Sequence, residues 1–148
     1  MPEGKVVVIG FGSLHGDDQA GWLVIDALKK IDAVASRIIL FKSKADGVDW
    51  YPVVDNANLV IFVDAVTSGS VAGTIHRVSS ESQQGDGFST STHSINIMQS
   101  IEMAKTLDYL SGKIEFYGLE IASTDSLSAE MGNAIDLLVD ELVENVVK

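Results

Sequence analysis

Three short runs of this chain, Lys5–Ile9 (KVVVI), Arg37–Phe41 (RIILF) and Leu59–Val63 (LVIFV), carry no polar alternation after their first residue. A strand with one face in water alternates polar and apolar side chains, so a strand without alternation is covered on both faces. Helical stripes lie between and after these runs. Ala20, Leu23, Val24, Ala27, Leu28 and Ile31 recur at helical spacing, as do Ile135, Leu138, Val139, Leu142, Val143 and Val146 near the end. A third helix is expected to begin near His93, with Ile97, Met98, Ile101 and Ala104 turned inward. Strands alternating with helices imply an α/β fold of three layers, a mainly parallel twisted sheet of about five strands with helices on both faces.

The remaining strands are read at Gly73–Val78 (GTIHRV), expected beside the third strand, and at Lys113–Tyr117 (KIEFY). Val48–Asn56 is read as a short helix around Trp50, Val53 and Val54, with Pro52 tolerable only near its start. Ser79–Thr92 is rich in Ser, Gln, Gly and Thr and reads as a loop. Neither a repeat nor a linker divides the 148 residues, so residues 1–148 are expected to form a single domain.

Charge narrows the function. Ten Lys and Arg stand against 21 Asp and Glu, a net −11, which disfavours nucleic acid and anionic membrane surfaces as partners. There is no cysteine, which removes disulfides, thiolate metal sites and a cysteine nucleophile. No apolar run has the length of a membrane span, and no leader is read before the first strand, so the cytoplasm is the expected compartment.

In parallel sheets the ligand site lies beyond the carboxyl ends of the strands. After the first strand stands Gly10-Phe11-Gly12-Ser13-Leu14-His15-Gly16-Asp17-Asp18. As a dinucleotide fingerprint it fails, because the third glycine would fall on His15, and two carboxylates at a helix start repel a pyrophosphate. One aspartate is accounted for as a helix cap, and Asp17 can be that one. Asp18 is then left to point into a cleft. Asp64 directly follows LVIFV, at the same edge of the sheet, where it can also serve its own turn. His93 stands at a loop–helix junction, where α/β folds place functional side chains. His15 and His76 are read as ordinary surface or core residues. Two carboxylates and one imidazole from three separate elements, if they converge, suit zinc or nickel better than calcium or magnesium.

The order of these pieces resembles the hydrogenase maturation protease family. Its opening pattern is matched by Gly10, Gly12, Leu14, Gly16, Asp17, Asp18 and Gly21, its second acidic strand end by Val63-Asp64-Ala65, and its late histidine by His93. Gly118-Leu119-Glu120 and Ser126-Leu127-Ser128 are similar to its closing segments. The resemblance implies an endopeptidase that removes the C-terminal extension of a nickel-iron hydrogenase large-subunit precursor once nickel is in place. It implies that Asp18, Asp64 and His93 form the catalytic, metal-contacting triad. Nickel would arrive with the substrate, with zinc as a possible substitute. The partner would be that precursor, and the enzyme a monomer without nucleic-acid or membrane partners. The chain departs from the pattern in a glycine turn one residue shorter, in Ser13 where asparagine is usual, and in the substrate-recognition loop. That loop reads Lys42-Ser43-Lys44-Ala45-Asp46-Gly47, keeping only Gly47. Lys42, Lys44 and Gly47 are the candidate substrate-binding residues, with the lysines suited to a substrate carboxylate. Two alternatives follow, a non-proteolytic homologue that binds a metal-loaded protein and, less favoured, a nucleotide-binding α/β protein.

Overall fold

The seven residues of β1 (Val6–Gly12) are buried without exception, as a strand with helices on both faces must be. A computed structural model describes residues 4–44, 47–79, 92–122 and 125–147, including all side chains except those of residues 92–96 and 147. After β1 come a 3-10 turn (Gly16–Gln19), α1 (Ala20–Lys29), the short α2 (Asp32–Ala35) and β2 (Ile39–Lys44). A second 3-10 turn (Pro52–Val54) leads to β3 (Leu59–Val66) and β4 (Ile75–Ser79), followed by α3 (Thr92–Thr106), β5 (Lys113–Glu120) and α4 (Ala129–Val147). The five strands form one sheet in the order β2-β1-β3-β5-β4, with β4 alone antiparallel.

Strand periodicity sorts the core into two layers. Val6, Val8, Ile61, Val63 and Leu119 pack beneath α1 and α4, against Val24, Leu28, Leu138 and Leu142. Val7, Ile9, Phe11, Val60, Phe62 and Phe116 face the other way, against Ile97, Ile101 and Ala104 of α3 and against Trp50 and Val54. Trp50 is fully buried, its ring edge-on to Phe62 at 5.0 Å between centroids. The segment around it forms only the 3-10 turn, opened by Pro52 at its first position, where proline's missing N–H costs nothing.

The expected three-layer α/β fold is the observed one. Two details differ. The strands extend further at their carboxyl ends than the apolar runs indicate, so Asp64 lies within β3 and Lys42 to Lys44 lie within β2. The strand at Gly73–Val78 does not sit beside β3, because both edges of β3 are taken by β1 and β5. The chain instead crosses the end of β5, with Gly69 and Gly73 both at φ +88°, and runs back antiparallel along it as β4.

The closest backbone approach is between α1 and the sheet. A Cβ on Gly21 would lie 2.1 Å from the carbonyl oxygen of Phe11 and 2.7 Å from that of Val63. One on Gly10 would lie 2.2 Å from the carbonyl oxygen of Gly21. Both neighbours are backbone, so neither contact yields cheaply. Gly21→Ala is expected to lower stability by about 1–3 kcal/mol, as overpacking of a filled core does. Urea denaturation checks this, and a midpoint equal to wild type would contradict the contact.

Candidate active site

The sheet splits at its carboxyl edge. Pairing of β1 with β3 ends at Gly10 opposite Val63. Beyond that level β1 follows β2, through Gly12 opposite Lys44, while β3 follows β5, through Val66 opposite Glu120. The crevice between the diverging strands is the switch point at which α/β sheets bind ligands. Asp64 is the first residue of β3 past the split, and it shares a face with Phe62 and Val66, the face covered by α3.

Asp64 is buried, and its Oδ2 has no hydrogen-bond partner among the described residues. Burial pushes its carboxyl well above the usual range; the Ala65 N–H pulls it partly back, and the charge of Asp18 raises it again. The half-buried Asp18 is thus close enough to Asp64 to repel it. Its backbone is fixed on both sides, with the Asp18 N–H donating to the carbonyl of His15 at 2.9 Å and the Ser13 N–H donating to its carbonyl at 3.2 Å.

Asp17 does something different. Fully buried, its carboxylate accepts the Ala122 N–H at 2.7 Å, the Ser128 N–H at 2.8 Å and the Ser128 hydroxyl at 2.8 Å. The Ser128 hydroxyl in turn accepts the Met131 N–H at 3.0 Å, capping α4. The adjacent aspartates therefore divide their work. Asp17 straps the first turn to the exit of β5, and Asp18 is left beside the crevice. The cap at Asp17 serves α4 rather than the helix that follows it in sequence.

His93 lies in the first turn of α3, the helix on the face toward which Asp64 is turned. Its side chain lies outside the described residues. No group of three or more His, Asp or Glu able to share a metal ion occurs among the described residues. Of the pair that is described, Asp64 has a buried oxygen with no partner among the described residues, and the charge of Asp18 works against its ionisation. Lys42 is turned to α1, its Nζ 2.6 Å from Asp26 Oδ1 and 5.9 Å from the centre of the Trp22 ring. Lys44 is exposed at the end of β2. Gly47 closes a turn, its N–H donating to the carbonyl of Lys44 at 3.0 Å and its carbonyl accepting the Trp50 indole N–H at 3.2 Å.

A second polar cluster stands on the same face. Glu120, buried at the end of β5, accepts the Ser68 N–H at 2.8 Å, the Ser68 hydroxyl at 2.5 Å and His76 Nε2 at 3.0 Å. Burial raises the carboxyl of Glu120, but the bonds from Ser68 and His76 outweigh it and hold it below its ordinary value. This is not a serine–histidine–acid relay. In such a relay the serine and the acid meet opposite ring nitrogens, whereas here both meet Nε2. It is a clasp on the loop after β3. Sequence reading took His76 for an ordinary residue. The available signal was a glutamate ending a buried strand, the reasoning that singles out Asp64.

The model of the hydrogenase maturation protease (HycI) family matches residues 22–148. The chain belongs to the hydrogenase maturation protease family. The matched stretch contains Asp64 and His93 and begins just after Asp17 and Asp18. Among solved structures, the chain is similar to the hydrogenase maturating endopeptidase HybD from E. coli, at 17% identity and a TM-score of 0.73, covering 97% of this chain and 94% of that one. It is similar to the [NiFe] hydrogenase maturation protease HybD from Thermococcus kodakarensis, at 18% identity and a TM-score of 0.77, covering 98% and 100%. It is also similar to HycI from Thermococcus kodakarensis KOD1, at 21% identity and a TM-score of 0.77, covering 97% and 93%. At these identities the likeness is one of fold. A comparison with curated protein sequences gives no match. Family membership makes the chain a hydrolase of the maturation-protease type. No helix among the described residues is long and apolar enough to cross a membrane.

The buried Asp64 carries a pH signature. An acid whose carboxyl is raised by folding binds more protons folded than unfolded. Wild-type stability therefore falls as pH rises from the ordinary aspartate value of about 4 through the raised one, and stays lowered above it. Asp64→Asn removes that charge and offers Asp18 an amide donor. The variant is expected to melt at a higher temperature than wild type at pH 8, with the difference shrinking toward pH 4.5. Calorimetric melts across that range check it, and a more stable wild type at pH 8 would show that Asp64 has a compensating partner.

Proposed function

We propose that this chain is the endopeptidase that removes the C-terminal extension of a nickel-iron hydrogenase large-subunit precursor after nickel has been loaded. Asp18, Asp64 and His93 are the residues that meet the nickel carried by that substrate. The observation that carries this reading is the Asp64 oxygen at the sheet's switch point that no described residue satisfies, beside the charge of Asp18, in a chain of this family. A buried carboxylate facing another is costly until a cation enters between them. Nickel held by the precursor supplies that cation, and the imidazole of His93 suits its borderline character.

The chain's own groups then have defined tasks. Before substrate arrives, burial favours the protonated form of Asp64. The arriving cation lowers its proton affinity and releases that proton, leaving two carboxylates at the crevice. One of them, as a general base, takes a proton from the attacking water, and proton return to the departing amine completes hydrolysis. The precursor and the enzyme meet in the cytoplasm, and zinc serves as a stand-in cation for binding measurements.

The test is processing of a nickel-loaded precursor by the purified protein, read as the loss of C-terminal mass. Asp18→Asn, Asp64→Asn and His93→Ala are each expected to reduce the rate by about a hundredfold or more while circular dichroism remains that of wild type. Intact precursor after incubation with wild type would favour the non-proteolytic alternative. Loss of activity together with loss of fold would reduce the three residues to packing roles.

A further inference from the structure

Each of the four loops leaving a parallel strand at the carboxyl edge presents one large apolar side chain to solvent. Leu14 follows β1 and is 79% exposed, Val48 follows β2 at 53%, Val71 follows β3 at 81% and Leu127 follows β5 at 41%. Single exposed apolar residues are ordinary on a protein surface. A set with one member on every loop around a single crevice is not scattered. The loops are also firmly based. Asp17 fixes both the turn that follows Leu14 and, through Ser128, the loop that carries Leu127. Glu120 grips Ser68, three residues before Val71. Val48 stands next to Asp49, which accepts the Ser43 hydroxyl at 2.8 Å, and two residues before the buried Trp50.

Exposed apolar tips on anchored bases lose little conformational freedom when they are covered, which is the condition for efficient association. We propose that Leu14, Val48, Val71 and Leu127 form a preorganised rim that docks the folded body of the precursor around the crevice. This rests on the reading given under Proposed function. The width of the rim selects its occupant. Three strand intervals separate the first loop of the set from the last in the order β2-β1-β3-β5, about 14 Å at the usual strand spacing. An extended peptide running along the crevice between β1 and β3 does not reach the loops on both outer strands. A folded partner presents a surface wide enough to reach all four tips at once. Apolar contact also suits a chain of net charge −11, which repels acidic surfaces at long range and relies on short-range contact to hold a partner.

The experiment measures processing of nickel-loaded precursor by wild type, by Leu14→Ser and Val71→Ser singly, and by the quadruple variant with Val48→Ser and Leu127→Ser added. Leu137→Ser is the control, since Leu137 is 62% exposed on α4 outside this set. The single changes should each raise KM about threefold and the quadruple change about tenfold or more, with kcat within about twofold. Leu137→Ser should behave as wild type. An unchanged KM in the quadruple variant overturns the rim while leaving the protease reading intact. A fall in kcat at constant KM overturns it too, by moving these side chains from docking to the chemical step. Sedimentation showing a wild-type dimer that the quadruple variant abolishes would reassign the surface to self-association. Wild type that processes no precursor would sink the function and the rim together.

Discussion

The carboxyl edge of this sheet depends on one backbone contact, that of the first turn of α1 against β1 and β3. It exists because Gly10 and Gly21 both lack a Cβ at points where one would lie 2.1–2.2 Å from a carbonyl oxygen. With the helix start drawn onto the sheet, the 3-10 turn before it has to stand directly over the strand ends. Gly16, at φ +49°, gives that turn its entry. The two aspartates in the turn then diverge, one strapped toward α4 and one left at the split between β1 and β3. A glycine-rich strand–helix turn usually cradles an anion on bare amides. Here the same geometry brings carboxylates to the place where those amides would act.

Three buried carboxylates stand within a few residues of the strand ends, and their differences matter more than their number. Asp17 and Glu120 are each surrounded by donors from a loop, so each converts a costly buried charge into a fixed connection. Asp64 has the Ala65 N–H for one oxygen and, among the described residues, nothing for the other. Folding had donors available at this edge and used them on the two carboxylates that hold loops. The carboxyl at the switch point keeps one oxygen without a partner among the described residues, and its burial is relieved by favouring the protonated form.

The layers could be read from the sequence because burial on both faces removes polar alternation, and because the stripes of α1 and α4 follow the helical period. Asp64 could be singled out because it follows a buried apolar run, although the strand proves to continue past it. What escaped reading depends on pairing between distant residues. The placement of β4 follows from both edges of β3 being occupied. The partners of Asp17 lie 105 and 111 residues further along. Glu120 carried the same strand-end signal as Asp64, yet its role in holding Ser68 appears only once the loop after β3 is folded over β5. Lys42, read as a candidate for a substrate carboxylate, faces α1 because its place in β2 puts Asp26 within 2.6 Å. The helix beginning near His93 was legible from Ile97, Ile101 and Ala104, all buried on α3.

These features bear on how a maturation protease can tell a finished precursor from an unfinished one. A site that fully enclosed a metal ion would bind it free in solution and stay occupied whatever the state of the substrate. On the function proposed above, two carboxylate oxygens and one imidazole would leave coordination positions open, which would limit affinity for a free ion. Affinity for an ion already held by a second protein gains from every contact that protein makes. In that scheme the cost of burying Asp64 would be recovered in the complex with loaded substrate. An empty precursor would in that scheme bring no cation and would leave Asp64 in the protonated form that burial favours. Discrimination in this scheme comes from a penalty built into the resting enzyme as much as from any attraction to nickel.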